Sequence, residues 1–332
     1  MIRNLTLPRF RSEWRREFGL ASITLVKLAV VSVQFPQFAS PDGLRDIVDD
    51  TGILILLALG QTFVLLTRAI DLSVAANIAL TGMCVALLNQ ALPELGIGAI
   101  LLVAILMGAL LGSINGALVW LLEIPAIVVT LGTMAIFRGM VFLVSGGTWV
   151  TSNEMSAGFQ DAARAELIGL TTTSWLAIAG VAGAFVMLRF LRLGRHFYLV
   201  GDNPSAASFI GVSVGRTQFK AFLLSGAVAG LCGYLWVARF AVAYTDVALG
   251  FELQVIAACV IGGVSIAGGV GTVMGVVLGC LFLGIIKNSL PLVGVSPFWQ
   301  MAVSGLVITI AVILNARRDL SERRQILQVS PQ

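Results

Sequence analysis

The 332-residue chain is 58% hydrophobic and only 11% charged, with a net charge of +4, a mean hydropathy of +0.97 and a pI near 9.1. A soluble domain carries about 25% charged residues, so this composition cannot clothe a soluble fold. Apolar runs recur near the roughly 20-residue length that a bilayer core of about 30 Å asks of a helix. The alternation expected of ~10-residue barrel strands is missing, so the predicted fold is an all-α integral membrane protein.

In chain order, an N-terminal tail (1–18) leads into a first span at 19–38, interrupted by Lys27. Arg15-Arg16 raises a twin-arginine export signal, but no A-x-A-like cleavage site follows, and the first helix is read as uncleaved. Further spans are predicted at 47–67, 72–91, 97–121, 125–145, 171–191, 217–240, 251–267, 269–289 and 298–315, ten in all, before a tail at 316–332. The pair at 251–289 is divided only by SIAGGVG (265–271). Gly108, Gly112 and Gly116, then Gly226 and Gly230, then Gly271, Gly275 and Gly279 recur every four residues. That spacing leaves a groove on one helix face where another backbone can approach closely.

Charge orders the threading. With the N-terminus inside and ten crossings, 15 of the 21 Lys and Arg fall on the inner side and only Arg45, Arg164 and Arg239 on the outer. Lys27, Arg138 and Lys287 remain within spans. The positive-inside rule counts these residues and predicts cytoplasmic termini, which makes the basic pI a topology signal rather than a nucleic-acid footprint. The four cysteines lie in apolar runs without C-x-x-C pairing and read as buried small hydrophobes.

No catalytic constellation is present. The single histidine, His196, falls in a basic loop, and no phosphate-binding GxxxxGK[ST] motif accompanies Lys27, Lys220 or Lys287. The chain reads as a translocation subunit rather than an enzyme, and any ATP-driven motor must be a separate chain. Polar residues inside the spans are mostly uncharged, with Gln61, Asn77, Asn115, Thr130, Thr133 and Asn288 the candidates for a translocation path. An uncharged, hydrogen-bonding path suits a neutral polyhydroxylated solute, while each of these groups reads equally as interhelical glue. An ion-coupled carrier, the alternative, usually shows paired intramembrane carboxylates, and none stands out. A non-transporting scaffold would have no need of the polar segment at 200–216.

That segment, VGDNPSAASFIGVSVGR, lies within a predicted cytoplasmic loop (192–216). Asn203 suits a helix N-cap, Pro204 the first helical position and Gly211 a terminator. A short exposed helix is expected, with Ala206, Ala207, Phe209 and Ile210 as small and apolar surface for another protein's groove or for the headgroup layer.

Four stretches then combine: GQTFVLLTRAIDLSV (60–74), IPAIVVTLGTMAIFRGM (124–140), GRHFYLVGDNPSAASFIGVSV (194–214) and VIGGVSIAGGVGTVMGVVLG (260–279). In order and spacing they resemble the permease subunits of bacterial ABC importers for monosaccharides, the ribose, xylose, arabinose, galactoside and rhamnose group. The resemblance implies a type II-like importer bundle in the inner membrane that moves a pentose or deoxyhexose by alternating access. It implies a second permease chain as partner, two copies of a sugar-type ATPase that hold the ATP and Mg²⁺, no cofactor in this chain, and a periplasmic sugar-binding protein. It assigns Gly201, Asp202, Asn203, Pro204, Ala206, Ala207 and Gly211 to the helix that couples to the ATPase. Relatives commonly read T-G-G-I-D-L-S-V-G where this chain has Thr67 to Ala75, so the cytoplasmic turn with Arg68, Asp71 and Ser73 is expected to be shaped differently. A heterodimer whose partner keeps the glycines is the expected consequence.

Overall fold

The computed structural model describes residues 7–296, with residues 299, 302, 305, 306 and 309 beyond them. The tail at 316–332 and most of the predicted span at 298–315 lie outside the described residues.

Helix α1 (Leu7–Gln34) runs on the outside of the bundle, with Ile23, Leu25, Val26, Val30 and Val33 exposed. Lys27 does not break it, because Nζ sits over the Phe282 ring, 5.5 Å from the centroid. The chain turns at Pro36, and Ser40 caps the next helix by accepting from the Gly43 amide at 3.1 Å. Helix α2 (Pro41–Leu66) is the most enclosed element, 89% buried along its apolar window. Helices α3 (Val74–Ala91), α4 (Ile97–Leu121) and α5 (Ala126–Ser145) follow, each long and apolar enough to cross a membrane.

Then come the short α6 (Ala157–Arg164), α7 (Thr172–Phe190), α8 (Arg192–Asp202), α9 (Pro204–Phe209) and the long α10 (Val214–Phe240). The last two are α11 (Phe251–Ile261) and α12 (Val273–Leu292). Eight helices among the described residues have spanning length and composition. The span expected at 251–267 is shorter than the sequence suggests: α11 has 11 residues, about 16 Å of helix against the ~30 Å of a bilayer core. Its end is set by the backbone at Gly263, which has φ +94, with Gly263 N donating to the Val260 carbonyl at 3.0 Å and Val264 N to the Cys259 carbonyl at 2.8 Å.

Helix α10 is the centre of the packing, lying against α2, α3 and α4. The glycine ladders read in the sequence meet here. A Cβ on Gly112 would stand 2.9 Å from the Gly226 Cα, and one on Gly108 would collide with backbone of Gly226 and Gly230. Backbone contact of this kind supplies dispersion energy that bulkier side chains would forfeit. The Gly275 and Gly279 pair does the same for α12 against α11.

One end of the bundle gathers the connections at 146–171 and 241–250. There β1 (Val150–Thr151) pairs antiparallel with β4 (Val242–Ala243), and β2 (Glu166–Leu167) forms a hairpin with β3 (Leu170–Thr171). Asp49 near the start of α2 accepts from Thr171 Oγ1 at 2.7 Å and from Ser174, Arg239 pairs with Asp50, and Arg45 pairs with Glu166. Arg138, one of the three cations inside predicted spans, donates to the Val247 carbonyl at 2.6 Å. It thereby satisfies irregular backbone packed within the protein, where such backbone is tolerated at membrane depth.

Candidate functional site

At the opposite end of the bundle three backbone segments converge. The first is the turn after α2. Arg68 has φ +63, and Ala69 N donates to the Val64 carbonyl at 3.3 Å. This left-handed residue is where glycine is ordinarily used. The Arg68–Ala69 departure therefore does not require a reshaped turn, because Arg68 itself takes the conformation that glycine favours.

The second segment is the end of α8. Arg68 Nε donates to the Gly201 carbonyl at 2.7 Å and Nη2 to the Asp202 carbonyl at 2.8 Å. Both are carbonyls left over at a helix C-terminus, where a cation is also favoured by the helix dipole. The third is the glycine loop at 263–271. Gly269 N donates to the Leu66 carbonyl at 3.1 Å, and Tyr198 Oη donates to the Gly271 carbonyl at 2.7 Å. Gly201 is the keystone, since a Cβ there would run into the Leu66 carbonyl oxygen and the Gly269 nitrogen.

From this junction hangs α9, a helix of six residues. Asn203 Oδ1 accepts from the Ala206 amide at 3.0 Å, and Pro204 occupies the first helical position. At the other end Gly211 has φ +85, Gly211 N donates to Ser208 O at 3.0 Å and Val212 N to Ala207 O at 2.9 Å, a Schellman closure. Ala207 is buried against the body, while Phe209 is 91% and Ile210 67% exposed. The helix thus has both ends fixed and presents a large aromatic side chain outward.

Gly201 and Asp202 close α8 rather than open α9. Helix α8 was missed in the sequence, where 192–202 reads as loop. Its buried face, Gly194, Phe197, Val200 and Gly201, follows an i, i+3, i+6, i+7 pattern beneath the charges.

Seen against known proteins, residues 44–312 match the family model described as the branched-chain amino acid transport system permease component. The chain belongs to this family of transport permeases. Among curated relatives it is 37% identical over 282 residues to the autoinducer 2 import system permease protein LsrC of Shigella flexneri, covering 85% of this chain and 81% of that one. It is 34% identical over 316 residues to the ribose import permease protein RbsC of Escherichia coli K12, covering 93% and 97%. The near-complete overlap with RbsC places this permease in the sugar-importer group, although the family model takes its title from amino-acid transport. It is a multi-pass inner-membrane protein and a permease subunit. No solved structure matches it.

The permease spends most of its predicted path residues on internal bonds. Gln61, with its amide oriented so that Nε2 donates to the Asp71 carbonyl and Oε1 accepts from the Asp71 amide, both at 3.2 Å, clamps the turn after α2. Asp71 accepts from the Ser73 amide at 2.9 Å and hydroxyl at 2.7 Å, and Asn115 Nδ2 donates to Ser73 Oγ at 2.7 Å. Burial pushes the Asp71 carboxyl upward against these two Ser73 bonds. Thr130 Oγ1 reaches the Ile70 carbonyl at 3.1 Å, Asn77 Nδ2 the Gly108 carbonyl at 3.1 Å, and Thr133 Oγ1 the Val129 carbonyl at 3.1 Å. All five candidates are buried; Gln61, Asn77, Asn115 and Thr130 bond across to another segment, while Thr133 bonds only within its own helix α5. Asn288, by contrast, lines a cavity at the other end of α2.

Proposed function

We propose that this permease forms half of the membrane path of an ATP-driven importer for a monosaccharide of the pentose or deoxyhexose class. A separate sugar-type ATPase, which holds the nucleotide and Mg²⁺, seats on α9 from the cytoplasm. A periplasmic binding protein delivers the solute at the opposite end, and a second permease chain completes the path.

The observation that carries this reading is the exposed Phe209–Ile210 surface on a helix anchored through Gly201 and Arg68 to the end of α2 and to the glycine loop between α11 and α12. A force on α9 is delivered through backbone contacts to the innermost helix, which is what a coupling element requires. The relatives' names supply the solute classes: ribose for one, autoinducer 2 for the other. We assign both termini to the cytoplasm on the distribution of Lys and Arg. The membrane domain is assigned to 19–315, between short tails.

The test is uptake into vesicles carrying the permease with its cognate ATPase and binding protein, using D-ribose, D-xylose, L-arabinose and L-rhamnose as probes. ATP-dependent uptake of one of them is expected, and scrambling 203–211 is expected to abolish it. Uptake that persists without ATP would refute the coupling reading. Co-purification tests the partner chain: a transport-competent homodimer made without any second permease would show that the heterodimer is not required.

A further inference from the structure

A cavity of about 670 Å³ opens between the α1–α2 elbow and the last turns of α12. Its wall carries Gln34, Gln37, Asp46, Asp50 and Asn288, with Phe35 beside them. This is a dense set of hydrogen-bonding groups for so apolar a chain, and it is under-used. Asn288 lines the wall, and its Nδ2 atom is buried just behind the cavity surface with no hydrogen-bond partner, a condition that costs about 1–3 kcal/mol and that turning the amide toward a bound hydroxyl would relieve. Among the described residues the side chains of Gln34, Gln37 and Asp46 make no hydrogen bond either, and Asp50 is engaged by Arg239 through one oxygen.

We propose that this cavity is a binding site for a neutral polyhydroxylated solute, with Asn288, Gln34, Gln37 and Asp46 bonding its hydroxyls and Phe35 lying against its apolar face. The donor and acceptor inventory decides the class. Amides donate and accept, carboxylates accept only, and a run of hydroxyls can answer all of them at once. An anion is excluded by the two carboxylates, and a cation has no cage, since no group of three or more His, Cys, Asp or Glu side chains gathers anywhere among the described residues. The volume falls in the range of small-molecule sites, roughly 300–1,000 Å³.

Position gives the site its role. Asp50 lies 16 residues before Leu66 on α2, about 24 Å along the helix from the coupling junction. The cavity is therefore at the mouth away from the ATPase face, where an imported solute would first leave its binding protein. This assignment rests on the importer reading above, and it makes Asn288 a specificity residue rather than helix glue.

The experiment places a reporter on the rim. Leu292 lines the cavity with an apolar, 45% exposed side chain, and Leu292→Cys can be labelled with a membrane-impermeant maleimide in membranes holding the complete importer. Labelling is read against the unsubstituted chain, in which three of the four native cysteines are buried. Sugars from the uptake panel are expected to slow labelling saturably, about threefold at twice the dissociation constant by simple occupancy. Asn288→Leu is expected to remove this protection without changing the labelling rate in the absence of sugar. Asp46→Asn, which retains an acceptor, is expected to weaken protection only in part.

Protection that is absent for a sugar the importer takes up, or unchanged by Asn288→Leu, overturns the site. Equal slowing by sodium chloride at the same osmolarity does so as well. If no sugar is taken up at all, the importer reading falls on its own, and protection by the same sugars still decides the cavity.

Discussion

Arg68 and Gly201 are joined by a 2.7 Å hydrogen bond from Nε to the carbonyl oxygen, across 133 residues of sequence. The bond fastens the turn after the innermost helix to the last turn of α8, directly before the exposed α9. Two effects oppose each other at Arg68. Its bonds to Gly201 and Asp202 stabilise the junction, while φ +63 costs about 1–2 kcal/mol for any residue but glycine. Arg68→Ala loses the bonds and keeps the strain, so we expect about 2 kcal/mol of destabilisation after discounting for exposure. Arg68→Gly loses the bonds but sheds the strain, and should be about 1 kcal/mol more stable than Arg68→Ala. Thermal unfolding in detergent compares the two; identical midpoints would sink the strain account.

Gly201 tolerates no side chain, because the atoms a Cβ would meet are backbone on two other segments. We expect Gly201→Ala to cost at least 3 kcal/mol or to prevent assembly, beyond the usual range of overpacking. Gly211 has φ +85 but open space around it, so Gly211→Ala should cost only about 1 kcal/mol. Ranking the two in the same unfolding assay checks the argument, which fails if Gly211→Ala is the more damaging.

Phe209 contributes almost nothing to the fold of the isolated chain, being 91% exposed. Phe209→Asp should leave membrane insertion and the unfolding midpoint unchanged and reduce ATP-driven uptake at least tenfold, the 1.4 kcal/mol or more that a buried interface aromatic commonly supplies. Loss of expression instead would place Phe209 in packing.

Gly112 lies where α4 and α10 touch through backbone. Gly112→Leu forces the pair apart and should destabilise the chain by several kcal/mol, more than the ~1–3 kcal/mol of an ordinary overpacked core. A variant that inserts, transports and melts like the parent would show that the α4–α10 contact is not required.

Glu154 supplies a pH dependence outside the spans. The Thr151 amide, then the Thr151 hydroxyl, then Gln90 hold its carboxyl below the ordinary range. A depressed carboxylate pKa contributes stability that is present above the unfolded value and lost as pH falls through the folded one. The Thr151 amide should therefore exchange hydrogen slowly at neutral pH, after correction for intrinsic rates. Its protection should fall away once the pH drops below the ordinary carboxylate value. Glu154→Gln should flatten that dependence.

The amino-acid order by itself determined the membrane class, the spans from α2 to α5, α7, α10 and the ends of α9. Each of these is written locally: twenty apolar residues make a span whatever surrounds them, and Asn203, Pro204 and Gly211 act on their own helix. Helix α8 was written there too, in the spacing of Phe197, Val200 and Gly201, beneath basic residues that made it look like a loop. The tertiary structure alone decided the rest. Whether Asn115 lines a path or holds Ser73 depends on which groove α4 enters, and that is set by glycines on α10 more than a hundred residues away. Arg68 reads as a substitution in a glycine turn until α8 arrives with two unpaired carbonyls for it to cap. Hydrogen-bond partners are a property of the packed chain, because a buried amide takes whatever donor or acceptor the fold brings to it.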